Sequence, residues 1–242
     1  MHLPQIHGII RRRMLVNFRV DPEFIQRQLP AAFRPKLHAG AAIAGICLIR
    51  LEQIRPKPLP GFLGLQSENA AHRIAVVWTD ERTGQPCEGV FIPRRDTNSL
   101  LNRIAGGRLF PGEHHPAQFE VETSAEEINF AMASDDGAVS VRLRAKISDR
   151  LPAESCFADI AEASQFFERG SLGYSATHNG GRLDGLVLKT RSWQVEPLDV
   201  REVYSSYFAD EKKFPKGSVT FDCALLMRNI EHEWHSAPDL YV

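Results

Sequence analysis

The run from Ala41 to Ile54 restricts the fold more than any other stretch. It reads Ala-Ala-Ile-Ala-Gly-Ile-Cys-Leu-Ile-Arg-Leu-Glu-Gln-Ile and offers no polar face before Arg50. A segment of that kind has to be covered on both sides. Its small and β-branched residues suit a strand near the middle of a sheet, although periodicity alone leaves a helix open. The rest of the chain favours the sheet. From Met14 onward, Leu15, Asn17 and Arg19 alternate with Val16, Phe18 and Val20, and Ile74, Val76 and Trp78 share one side of Arg73–Thr79. Phe119–Val121, Glu126–Ala133, Val139–Ser148, Leu186–Lys189 and Pro197–Val203 are further strand candidates. Asp80–Gln85 and Ser134-Asp135-Asp136-Gly137 read as hairpin connections.

Helices are few. Asp21-Pro22-Glu23 supplies an N-cap oxygen and a proline at the first helical position, ahead of Phe24, Ile25 and Leu29. Asp159–Phe167 turns Ile160, Ala163, Phe166 and Phe167 inward. Asn98–Ile104, stopped by Gly106-Gly107, and Tyr204–Ala209 are shorter candidates. Arg55–Gly64 is rich in proline and glycine, and its Leu59, Phe62 and Leu63, with Leu65 just beyond, suggest a packed flap over a cavity mouth. Many strands with a few inserted helices predict an α+β fold: one domain over residues 1–242, built on a curved, mostly antiparallel β-sheet.

Charge and composition narrow the function. Of 242 residues, 43% are hydrophobic and 24% charged, and the formal net charge is -1. Arg11-Arg12-Arg13 is the longest basic run, so neither nucleic acid nor an anionic membrane is an expected partner. No apolar run approaches the ~20 residues that span a bilayer, and the first residues lack the order of a signal peptide. A cytoplasmic location follows as the expectation. Cys47, Cys87, Cys156 and Cys223 are far apart, with no Cys-x-x-Cys pair, which predicts neither disulfides nor a zinc knuckle. His114-His115, beside Pro111-Gly112 and Pro116, reads as a surface loop. In Glu231-His232-Glu233-Trp234-His235 the second histidine falls one residue short of the His-Glu-x-x-His order, and on a strand the two histidines would face opposite ways. No metal and no cofactor is expected.

One stretch carries a chemical signal. In Glu88–Asn98 an apolar strand, Val90–Ile92, runs into Pro93-Arg94-Arg95, with Asp96, Thr97 and Asn98 placed to start a helix. Two adjacent guanidinium groups repel each other. Either both point to solvent, the ordinary fate of a charge pair, or an anion or an internal carboxylate lies between them. Antiparallel pairing with the preceding strand brings Glu68 toward that end of the hairpin, with Glu88 as its rival.

Pro93-Arg94-Arg95 resembles the Pro-Lys-Lys of the acetoacetate decarboxylase family, in which the first lysine forms a Schiff base with the substrate and the second lowers its pKa. Phe18-Arg19-Val20-Asp21 is similar to that family's Tyr-Arg-Thr-Asp stretch, and Glu68 to its cavity glutamate. The order of Phe167–Tyr174, Gly180–Gly185, Trp193–Pro197, Phe214–Val219, Asp222–Arg228 and Glu231–His235 resembles, over nearly the whole chain, the YqjF-like family of uncharacterised bacterial proteins within the same superfamily. The resemblance implies a cone-like barrel with an internal cavity and, as ligand, a small carboxylate or β-dicarbonyl compound. It implies Arg94 and Arg95 as anion clamps, Arg19 as a further donor and Glu68 as polariser or proton acceptor. A guanidinium cannot form an imine, so Arg94 excludes the Schiff-base route at that position.

Three kinds of function remain open. The first is an enzyme, a lyase or hydrolase, acting by electrostatic stabilisation and acid/base catalysis. A lyase with a displaced lysine would need Lys146 or Lys189 to point inward, whereas their neighbours place both toward solvent. The second is a binding protein, and the third is a structural or sensor domain whose interior is filled. Homo-oligomer formation is open as well.

Overall fold

The computed structural model describes residues 6–56, 59–100, 112–178 and 180–242. The Ala41–Ile54 run finds its two-sided cover in the middle of a sheet. It lies in β4 (Ala41–Pro56), which pairs antiparallel with β1 (Ile6–Val20) and with β5 (Leu65–Thr79). One face of these strands sends Met14, Val16 and Phe18 together with Ala44, Ile46 and Leu48 into the larger core. The other sends Leu15, Ile43 and Cys47 into a second core. Each fully buried Leu or Ile contributes about 1.5–3 kcal/mol, so both faces hold the strand in register. Gly45 leaves room for β1 against β4: a Cβ there would lie 2.2 Å from the Val16 carbonyl oxygen.

The sheet continues through β6 (Pro86–Thr97), β7 (His114–Thr123), β8 (Glu127–Ser134), β9 (Ser140–Ile147), β12 (Glu196–Ser205) and β13 (Val219–Tyr241). In the order β6-β7-β8-β9-β12-β13-β1-β4-β5 these strands form a ring of nine, closed by β5–β6 pairing. Within the ring the pairing is antiparallel except for β6–β7. The larger core fills the ring. On the second face, β10 (Leu172–Ala176) and β11 (Arg182–Thr190) bridge β6 to β13, and α2 (Ile160–Glu168) covers the area beside them with Ala163 and Phe167. The sequence places α2 through its cap: Asp159 accepts from the Glu162 amide at 2.8 Å, while the Glu162 carboxylate accepts from the Ala158 amide at 2.7 Å. The short α1 (Pro22–Gln26) starts at Asp21, as its sequence predicts. The edge strands β2 (Arg34–Pro35) and β3 (Leu37–His38) complete the sheet. No helix among the described residues is long and apolar enough to cross a membrane.

Several expectations change. Tyr204 and Ser205 continue β12 instead of opening a helix, because they extend the ladder with Arg142 and Val141 before a turn at 206–209. His114 and His115 begin β7 rather than lying in a surface loop, since β6 pairs with them directly. Asp96 and Thr97 belong to β6, and the short helix expected over Asn98–Ile104, with its Gly106-Gly107 stop, falls mostly outside the described residues. The flap side chains are not packed: Leu59, Phe62, Leu63 and Leu65 are exposed, Phe62 by 85%. Glu231–His235 lies inside β13, so His232 and His235 face opposite ways.

Candidate functional site

At one end of the ring of nine lies an open cavity of about 570 Å³. Its charged lining comes from Arg11, Arg12, Arg50, Glu52, Glu68 and Arg228, and Val121, Ile128, Ile147 and Leu226 supply apolar walls. The geometry follows from strand alternation with one irregularity. In β1, pairing to both neighbours skips from Ile10 to Arg12, with Asn229 in the left-handed region at φ 55° on the facing strand. That bulge lets two successive arginines, Arg11 and Arg12, reach the same cavity, while Arg13 turns to the other face.

The charges are paired. Arg12 donates to Glu68 at 2.7 Å, Arg50 lies 3.9 Å from Glu68 and 3.5 Å from Glu52, and Arg11 donates to Glu52 at 2.8 Å. At the rim, Arg228 lies 2.8 Å from Glu196. Arg12 and Glu68 are both 8% exposed. Burial raises the Glu68 pKa above the usual carboxylate range, outweighing the pull of Arg12 and Arg50, and burial also lowers the Arg12 pKa. Glu52 shifts down, chiefly through its hydrogen bond from Arg11. The arrangement offers a cationic lining for an anion and one buried carboxyl group able to exchange a proton.

The arginine pair does not act as one clamp. Arg94 and Arg95 are successive residues of β6 and face opposite ways. Arg94 lies opposite His72 on the ring side, four residues along β5 from Glu68, or about 13 Å. It is held at 2.8 Å from Asp96 and 2.9 Å from Asp136, and although burial works against its charge, the two carboxylates raise its pKa. Arg95 donates to Ser175 at 3.0 Å on the second face, beside a cavity of about 50 Å³ that also borders Cys47, His114 and Trp234, and burial lowers its pKa to about 10. Arg19 lies 3.2 Å from Asp222, which also accepts from the Ser155 hydroxyl and the Cys156 amide, so Asp222 ties both Arg19 and the 155–156 segment to β13. Glu88 pairs with Lys36 at 2.6 Å.

Of the residues expected from sequence, only Glu68 lines the large cavity, and its partner is Arg12. Arg12 and Arg50 were missed as site residues. The usable signal was Arg50, the first charge in the Ala41–Ile54 run, in phase with the ring-facing Ala44, Ile46 and Leu48. Lys146 and Lys189 are exposed. Among the described residues no group of three His, Cys, Asp or Glu side chains could hold a metal ion.

The family described as DUF2071, uncharacterized conserved protein (COG2071), matches residues 10–225. The chain belongs to this family. DUF2071 is the YqjF-like group that the order of motifs resembles. No curated protein matches the DUF2071 chain. Solved structures share its fold at low identity. An acetoacetate decarboxylase-like enzyme from Sphingomonas wittichii RW1 aligns with a TM-score of 0.60 and 12% identity, covering 98% of this chain and 92% of that one. Acetoacetate decarboxylase from Legionella pneumophila subsp. pneumophila str. Philadelphia 1 gives 0.60 and 12%, covering 98% and 88%. The enduracididine biosynthesis enzyme MppR, solved in complex with pyruvate, gives 0.59 and 11%, covering 100% and 91%. The decarboxylase-like fold expected from the sequence is therefore the fold of this chain.

Proposed function

We propose that this DUF2071 protein binds a small organic anion, a carboxylate or β-dicarbonyl compound, in the cavity at the open end of the ring of nine. Arg12 and Arg50 are the anion donors and Glu68 is the proton-exchanging group. The carrying observation is the cavity of about 570 Å³, within the range of small-molecule sites, whose lining holds four arginines against two glutamates. Arg94, Arg95 and Arg19, the donors implied by the resemblance, lie outside this lining, so the clamp moves to β1 and β4. The reading is of chemistry without an imine, because among the described residues no lysine lines the cavity and Arg94 stands where the resemblance places the Schiff-base lysine. The raised Glu68 pKa favours acid/base catalysis over passive binding as the second reading.

The test is a thermal-shift screen of small carboxylates and β-dicarbonyl compounds. A hit should lose about tenfold in affinity in Arg50→Met and keep its affinity in Arg94→Ala. A hit whose affinity follows Arg94 and ignores Arg50 would overturn the assignment. Borohydride added with acetoacetate should trap no adduct.

A further inference from the structure

The second face of the sheet carries cations of another kind. Arg73, on β5, is 5% exposed and its side chain donates to the Asn17 amide oxygen. Its Nε is buried without a partner, and its guanidinium carbon stacks over Phe167 of α2 at 4.9 Å. Arg73 makes no ion pair among the described residues. The titratable groups that bear on it are Cys47, Cys223 and Arg13, and none is a carboxylate. Arg13 donates to the Cys47 sulfur at 3.1 Å and stacks over Trp193 at 5.4 Å, also without an ion pair. Both guanidinium groups, with Lys36, line a cavity of about 30 Å³ whose remaining walls include Leu15, Val90, Phe166 and Phe167. Lys36 stacks over Phe166 at 4.3 Å and is the one cation of the three with a carboxylate, Glu88.

An arginine cannot shed its proton at ordinary pH, and burying it without a counter-ion is strongly unfavourable. Burial lowers the Arg73 pKa to about 10, which still leaves it charged. One amide oxygen and one aromatic face offset only part of that charge, and Arg73, its Nε unpartnered, is among the residues that line the cavity. At about 30 Å³ the space has room for an oxyanion head group and too little for a whole metabolite.

We infer that the cavity between β5 and α2 is a second anion site, in which Arg73, Arg13 and Lys36 hold a small oxyanion, the carboxylate or phosphate head of a ligand. This site lies on the opposite face of the sheet from the Arg12–Glu68 cavity and does not rest on the function proposed for it.

The test compares melting temperatures of the full chain in sodium acetate, sodium phosphate and sodium chloride at matched ionic strength. Acetate or phosphate should raise the melting temperature saturably by several degrees over chloride. The response to acetate alone assigns a carboxylate, and to phosphate alone a phosphoryl group. Arg50→Met, which weakens the ring cavity, should keep a response, and in that background Arg73→Met, which keeps apolar length against Phe167, should abolish it. Where Arg73→Met fails to fold, Lys36→Met should weaken half-saturation at least fivefold. Equal melting in all three salts, an undiminished response in Arg73→Met or Lys36→Met, or its loss in Arg50→Met would overturn the inference.

Discussion

Arg12 and Arg13 are neighbours in sequence, yet the two faces of β1 treat them differently. On the ring side, Arg12 meets Glu68 at 2.7 Å in a network that also holds Arg50, Glu52 and Arg11, around a cavity of about 570 Å³. On the second face, Arg13 and Arg73 sit among thiols, aromatic rings and one amide, around a cavity of about 30 Å³. Pairing lets the first face hold its charges whether or not a ligand is present. The second face leaves its charges to be offset from outside. A variant that removes one charged group should therefore cost more stability on the first face than on the second.

The largest effect falls on the paired side. Glu68→Gln leaves the Arg12 guanidinium buried without a counter-ion, and breaking a buried pair costs about 3–5 kcal/mol. Urea unfolding should show that loss as a lower midpoint at unchanged slope. Arg73→Met orphans no carboxylate, only the buried Asn17 amide oxygen, so it should cost less, about 1–3 kcal/mol. Equal losses from the two variants would break the comparison.

A second measurement sharpens it through pH. Burial, with Arg94 and Lys213 adding to it, lowers the pKa of the fully buried His72 to about 3, and His114 and His232, on the second face, fall to about 3 and about 4. The sign follows from linkage. Below the ordinary value of 6.5 the unfolded chain takes up protons that the folded imidazoles refuse. Stability is fully present above pH 6.5 and is lost as pH falls toward 3, by about 1.4 kcal/mol per pH unit for each histidine. Replacing His72 with Gln should reduce the slope of stability between pH 4 and 6 by one proton. A slope unchanged in that variant would mean that the ring side does not keep its histidine neutral.

What the sequence disclosed follows the same division. A run of small and β-branched residues without a polar face suits a strand covered twice, and Asp-Gly between strand candidates signals a tight connection, so the curved sheet was legible from Ala41–Ile54 and from Asp136-Gly137, where Gly137 has φ 68°. Glu68 was legible near the Arg94-Arg95 end of the hairpin, although the structure sets it against Arg12 and not against the arginine pair it was expected to offset. Its partner was not, because the bulge at Arg11 depends on how three strands register, which a single strand does not encode. Arg94 and Arg95 were read as one site because their charges are adjacent, while strand alternation sends such neighbours to opposite faces. Tyr204–Ala209 failed as a helix for a related reason: the ladder to β9 decides where β12 ends, and local composition does not.

The smallest effect tests whether the two faces are separable at all. Asp159 caps α2, the helix whose Phe166 and Phe167 wall the second-face cavity, and its side chain accepts from the helix's own Glu162 amide. Asp159→Ala should cost about 1 kcal/mol, the usual value of a lost cap. The consequence of interest is its distribution. If α2 loosens by itself, the half-saturating acetate or phosphate concentration rises severalfold while the affinity of a ring-cavity ligand, read in the same thermal-shift assay, stays fixed. An equal loss in both would mean that β1, β4 and β5 transmit the disturbance through the sheet, and the paired and unpaired faces would then be one cooperative unit whose sites respond together.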